Sequence, residues 1–316
     1  ISNNLTKIGT GTLTFSDNVL QRANVVVNAG TVSTTSINAT NHYNYNSGTI
    51  SGAGTFNVAG IFDCSGVTGT SCTLNTTAVT FSGTPTLDIS GSLTIAPATT
   101  LDRALTIQDG GDLSGSAITF NNANSQLVQL GTGDVFNDIL LTTFATPALD
   151  ISGTSSYSGT LSSNAAYQIE VQPNKTFAIM SALDISNNLT KIGTGTLTFS
   201  DNVLQRANVA VNAGIVSTTS INATNHYNYN SGTISGAGTF NVGGIFDCSG
   251  VTGTSCTLNT NAVTFSGTPT LDISGSLTIA PATTLDRALT IQDGGDLSGG
   301  AITFNNANSQ LVQLGT

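Results

Sequence analysis

Residues 5–34 read LTKIGTGTLTFSDNVLQRANVVVNAGTVST, and the fold is decided in this stretch. Apolar and polar residues alternate in short runs, GTLTF at 11–15 and VVVNAG at 25–30, so that every second side chain faces one side. Gly, Asn, Asp and Ser close each run. Leu13 and Val32 hold matching places in two successive runs of this kind. The whole stretch then returns at 189–218 as LTKIGTGTLTFSDNVLQRANVAVNAGIVST.

The match extends well beyond it. Residues 1–132 and 185–316 align without a gap, and only five pairs differ: Val26/Ala210, Thr31/Ile215, Ala59/Gly243, Thr77/Asn261 and Ser116/Gly300. The chain is a tandem repeat, met as one full period at 1–184 and as a second, truncated copy at 185–316. Ile1 matches the interior position Ile185, and Thr316 matches Thr132. The expectation is therefore a longer polymer of the same unit.

Similar runs fill the period: GTFNV (54–58), AVTFSG (78–83), PTLDISG (85–91), GSLTI (91–95), ALTIQDGG (104–111), AITFNN (117–122) and YQIEV (167–171). Their apolar positions chain as Leu13, Val32, Ile50, Leu74, Leu93, Leu113, Leu130, Leu149 and Ile169, in steps of about 20 residues. The longest step, Ile50 to Leu74, holds a Cys-containing insertion. PTLDISG also recurs as PALDISG at 147–153, close to three steps later. A coil of about 20 residues built from short strands describes an all-β, parallel β-helix or solenoid, in which stacking buries what one coil cannot. Its inward residues are expected to include Leu13, Phe15, Val27, Leu87, Ile89, Leu93, Ile95, Ile118 and Phe120. The rival is a string of antiparallel sandwiches of about 90 residues each. No Pro-rich linker or composition break near mid-period supports it.

Composition narrows the function. Only 8% of residues are charged, Trp is absent and the net charge is −10. With no basic stripe to meet phosphates, neither nucleic acid nor an anionic membrane surface is an expected partner. No apolar run approaches the ~18 residues of a membrane-spanning helix, so no membrane insertion is expected in this segment. Good helix formers are scarce beside Thr, Val, Ile and Phe, and almost no helix is expected.

The four cysteines form two C-x7-C pairs, Cys64 with Cys72 and Cys248 with Cys256, each within FDCSGVTGTSCTL. Zinc pairs sit closer and need further ligands, so each reads as a local disulfide, with two free buried thiols as the alternative. A disulfide implies an oxidising, extracytoplasmic place and a contribution of about 2–3 kcal/mol.

Other candidates weigh less. His42 and His226 sit in NHYNYNSG without metal partners at short spacing. Tyr43 and Tyr45, with their copies Tyr227 and Tyr229, alternate with Asn and form a candidate surface contact, either packing on a neighbouring fibre or stacking on a sugar. Asp109 and Asp112 in QDGGDLSG resemble part of a calcium loop, and Asp88 lies about one step before Asp109, so the two could share a cation between coils. Turn capping by Asp and Gly is the preferred reading. A polysaccharide lyase or hydrolase would draw on Asp102, Arg103, Asp109 and Asp112. An enzyme gains little from near-identical tandem copies, whereas a spacer gains length and an adhesin gains avidity. The chain is not expected to be an enzyme, and no catalytic residue, metal or cofactor is assigned.

The stretch L-T-K-x-G-T-G-T-L-T-F followed by V-N-A-G-T-V, at Leu5–Phe15 with Val27–Val32 and again at Leu189–Phe199 with Val211–Val216, resembles the passenger-associated repeat of bacterial autotransporters. The broader group of filamentous-haemagglutinin-like exoproteins is similar in style. The resemblance covers about thirty residues of each copy and implies a right-handed parallel β-helix exported to the cell surface. Many such passengers are adhesins, and closely spaced Cys pairs are tolerated among them. It does not extend to a membrane β-barrel or to a route of export. The expected function is a structural, rod-forming segment of a long extracellular fibre whose chief partner is itself, by continuous repeats and lateral bundling. The alternative is an adhesin stalk that binds surface glycans.

Overall fold

In the computed structural model every regular element among the described residues is a strand, and the strands stack in parallel as a β-solenoid of about 22 residues per turn. The described residues are 3–15, 19–21, 25–34, 42–45, 48–58, 60–64, 71–83, 85–108, 110–180, 184–185, 187–199, 203–205, 208–219, 226–229, 232–243, 245–248, 255–266, 269–273, 276–292 and 294–314. The chain divides into two compact units, Ile1–Gly159 and Thr160–Thr316. Antiparallel sandwiches are excluded by the parallel pairing.

In the first unit each turn lays down strands on three faces. On the first face Leu5 lies opposite Val25, Val25 opposite Ile50, Ile50 opposite Leu74 and Leu74 opposite Ile95. On the second, next along the chain, Leu13 lies opposite Val32, Val32 opposite Phe56 and Phe56 opposite Val79. On the third, Phe62 lies opposite Leu87, Leu87 opposite Ile107 and Ile107 opposite Gln129. Two long strands, Gly48–Val58 and Ser71–Phe81, run through the first and second faces without a break. The second unit repeats the plan: Leu189 lies opposite Val209, Val209 opposite Ile234, and Leu197 opposite Val216.

The alternation read from sequence places the core. Val27, Leu87, Ile89, Leu93, Ile95, Ile118 and Phe120 all point inward and are buried. Leu13 and Phe15 are half-buried, while their copies Leu197 and Phe199 are buried. Each such side chain contributes about 1.5–3 kcal/mol of hydrophobic stabilisation. Phe56 and Phe62 meet edge to face across the core with ring centroids 5.7 Å apart, and Phe240 and Phe246 repeat the contact at 5.7 Å.

The expected chain of anchors needs correction in three places. Val32 pairs with Phe56 and not Ile50, because Gly48–Val58 contributes to two faces. Leu113 pairs with Val135, and Leu149 with Leu127, so Leu130 is no core position and stands exposed. Leu74 pairs with Ile95, two positions beyond Leu93. The echo of PTLDISG in PALDISG is real at the level of the face. Three turns carry Leu87 through Ile107 and Gln129 to Ile151, two positions past Leu149.

Candidate functional site

The residues with the most developed side-chain geometry are a lysine at a corner, an asparagine on an outer face and the cysteine pair. In Leu189–Ile192 alternation turns Leu189 and Lys191 inward, and Lys191 lies in register between Ile169 and Val211. Its side chain is fully buried. Its Nζ donates to the carbonyl oxygens of Ile192 at 2.8 Å, Gly193 at 2.6 Å and, one turn on, Ala213 at 3.3 Å. An ammonium has three protons, and three carbonyls meet them. Lys7 repeats the cage with Ile8 at 2.9 Å, Gly9 at 2.6 Å and Ala29 at 3.2 Å.

The glycines of the motif make room for it. Gly193 holds φ at +72° and Gly214 at +69°, a left-handed region that costs glycine nothing. A Cβ on Gly214 would run into the carbonyl oxygens of Gly195 and Gly193. The spacing K-x-G followed by N-A-G thus encodes a stacked corner riveted by lysine. Burial pushes the Lys191 ammonium down to about 8, and the charge of Glu170 opposes the shift.

On the second face Asn57 joins three turns. Its Nδ2 donates to Ser33 Oγ and Ser82 Oγ, both at 2.8 Å, and its Oδ1 accepts from Thr80 Oγ1 at 2.9 Å. Asn241 repeats all three bonds with Ser217, Ser266 and Thr264. On the first face Thr49, Thr73, Thr94 and Ser114 stand in one register column, and the Thr94 and Ser114 hydroxyls meet at 3.1 Å.

Cys64 and Cys72 are bonded at 1.95 Å and Cys248 and Cys256 at 1.96 Å, each within the core. Cys64 lies opposite Ile89 on the third face and Cys72 opposite Leu93 on the first, so the bond closes a corner from inside. The residues between them, 65–70, lie outside the described ones.

The remaining candidates are dispersed. His42–Tyr45 pairs with Val19–Gln21 and with Ile61–Cys64, and His226–Tyr229 likewise belongs to a parallel sheet. The side chains of Tyr43, Tyr45, Tyr227 and Tyr229 lie outside the described ones. Asp102 is engaged by its neighbour: Arg103 Nε donates to Asp102 Oδ1 at 2.6 Å, and this bond holds the carboxyl below its usual range. Asp109 lies outside the described residues. The residue opposite Asp88 is Gln108, whose Nε2 donates to Asp88 Oδ2 at 2.7 Å, so the pairing expected for Asp109 falls one position away. Asp112 sits on the first face and accepts the backbone N–H of Asp134 at 3.1 Å. Among the described residues no group of three or more His, Cys, Asp or Glu could hold a metal ion.

Comparison with protein-family models, curated proteins and solved structures yields no match. Two features went unread in the sequence. The inward Lys191 was signalled by its parity with Leu189. Asn57 carried no signal, because its partners come from neighbouring turns.

Proposed function

We propose that this chain is a rod-forming stretch of a long, repetitive extracellular fibre. The observation that carries the reading is that inter-turn bonds recur at matching positions of the two copies, as in Ser33–Asn57–Ser82 and Ser217–Asn241–Ser266. A stack whose turns bond only to their neighbours can be lengthened by whole periods without new contacts. The role is mechanical: reach, stiffness and resistance to proteolysis from continuous backbone pairing.

The extracellular setting rests on the disulfides, which persist in oxidising compartments, and on the likeness of the L-T-K motif to autotransporter passengers. The low charge and high Thr and Ser content suit lateral association with like rods. Electron microscopy of polypeptides with two, four and six periods tests the reading. Rod length should grow linearly, by roughly 40 Å per period at ~4.8 Å per turn. A length that does not scale with period number would refute it, and a distinct head on a short stalk would favour an adhesin. Labelling of intact cells by a membrane-impermeant reagent tests the location.

A further inference from the structure

Within the first unit the core changes character between Gln129 and Tyr157. On the third face Gln129 interrupts an apolar column, with Ile107 opposite it on one side and Ile151 on the other. Gln129 is 1% exposed, Asn137 is fully buried and Ser155 is 6% exposed. Gln129 Nε2 donates to Gly133 O at 3.2 Å, and Asn137 Nδ2 to Ser116 O at 2.7 Å. Gln129 Oε1, Asn137 Oδ1 and Ser155 Oγ are buried as well, and among the described residues none of the three has a hydrogen-bond partner.

Backbone pairing thins in the same place. Asp134–Val135 has two residues, and Leu149–Ile151 and Ser155–Tyr157 have three each, against eleven in Gly48–Val58 and in Ser71–Phe81. A buried polar atom without a partner gives up its bonds to water on folding and regains them on opening, so each of the three favours the open turn. Strands of two or three residues also break few backbone bonds when they part.

We infer that the turn from Gln129 to Tyr157 is a yielding element, the part of the period that opens before the turns of residues 48–95. Its use rests on the fibre reading. Opening one turn of about 22 residues releases roughly 70 Å of chain when drawn taut, against ~4.8 Å in the stack. Load is thereby taken up at one place, while the long strands and the Cys64–Cys72 bond hold the turns before it. Tyr157 guides reclosure in register: its hydroxyl donates to Asn137 O at 3.0 Å and accepts the Ile139 N–H at 3.2 Å.

Native-state hydrogen exchange of the full chain, read by mass spectrometry, tests the inference. Peptides that cover Asp134–Val135, Leu149–Ile151 and Ser155–Tyr157 should exchange at least about tenfold faster than those of Gly48–Val58 and Ser71–Phe81. Ser155→Ala removes one unpartnered hydroxyl and should slow exchange across residues 134–157 about fivefold, leaving residues 48–81 unchanged. The sign is informative, because a substitution that merely damages packing speeds exchange. Exchange at 134–157 as slow as at 48–81, or exchange in Ser155→Ala that is unchanged or faster, would overturn the inference. Rod length that still scales with period number would then leave the fibre reading standing.

Discussion

Lys191 Nζ donates to the carbonyl oxygen of Ala213, 22 positions and one turn further on, at 3.3 Å. With its bonds to Ile192 and Gly193 the lysine ties its own turn to the next at a buried corner. Lys191→Ala empties that space and strands three carbonyls, and should cost about 2–4 kcal/mol in urea unfolding. Lys7→Ala, at a half-exposed corner, should cost less than half as much. Equal and negligible losses would show that the cage does not hold the turns together.

The same lysine predicts a pH dependence. Its folded value of about 8 lies below its ordinary 10.5, so between these values the unfolded chain keeps a proton that the folded chain has released. Stability should therefore rise as pH climbs through that window, after a flat stretch below about 8. Urea midpoints at pH 7, 9 and 10 check this, with Lys191→Met as the flat control. A midpoint that falls only in the wild type would mean that the three carbonyls hold the proton more firmly than burial expels it.

Asn57 ties its own turn to the turns before and after it, and Asn57→Ala leaves hydroxyls without that partner. A loss of about 1–3 kcal/mol is expected, matched by Asn241→Ala in the second copy. Thr94→Ala, which removes one exchangeable hydroxyl pair, should cost under about 1 kcal/mol. If the two substitutions prove equal, the node is no more than a surface contact.

Cys64 and Cys72 lie buried at a corner, so alkylation of the native, unreduced protein should label no thiol, and peptide mapping should recover the 64–72 and 248–256 links. Cys64→Ser with Cys72→Ser should lower stability by about 2–3 kcal/mol, because the bond limits the unfolded chain. Quantitative labelling without reductant would replace the disulfides by free thiols.

Fold class was legible because two-residue alternation, turn residues and a spacing near 20 recur with no helical period. Leu13 with Val32, Ile50 with Leu74 and Leu93 with Leu113 are neighbours between turns, as their spacing suggests. Where the reading slipped, the reason is physical. All three faces alternate alike, so spacing cannot say which face a strand serves, and a strand such as Gly48–Val58 serves two. Leu130 has the right spacing from Leu113, yet it follows Gln126–Gln129 and turns outward. The disulfide pairing was legible from local spacing. The lysine cage was legible only in part: alternation with Leu189 turns Lys191 inward, but its third carbonyl belongs to the next turn. Asn57 was hidden for the same reason, its partners lying 23 to 25 positions away.

The central claim, a continuous parallel stack, is tested most directly by X-ray diffraction from oriented fibres of the repeat. The account predicts a meridional reflection near ~4.8 Å, since strands run across the axis, and an axial length of roughly 40 Å for each period of the sequence. A strand-spacing reflection on the equator, or an axial period that corresponds to two beads per repeat, would contradict it.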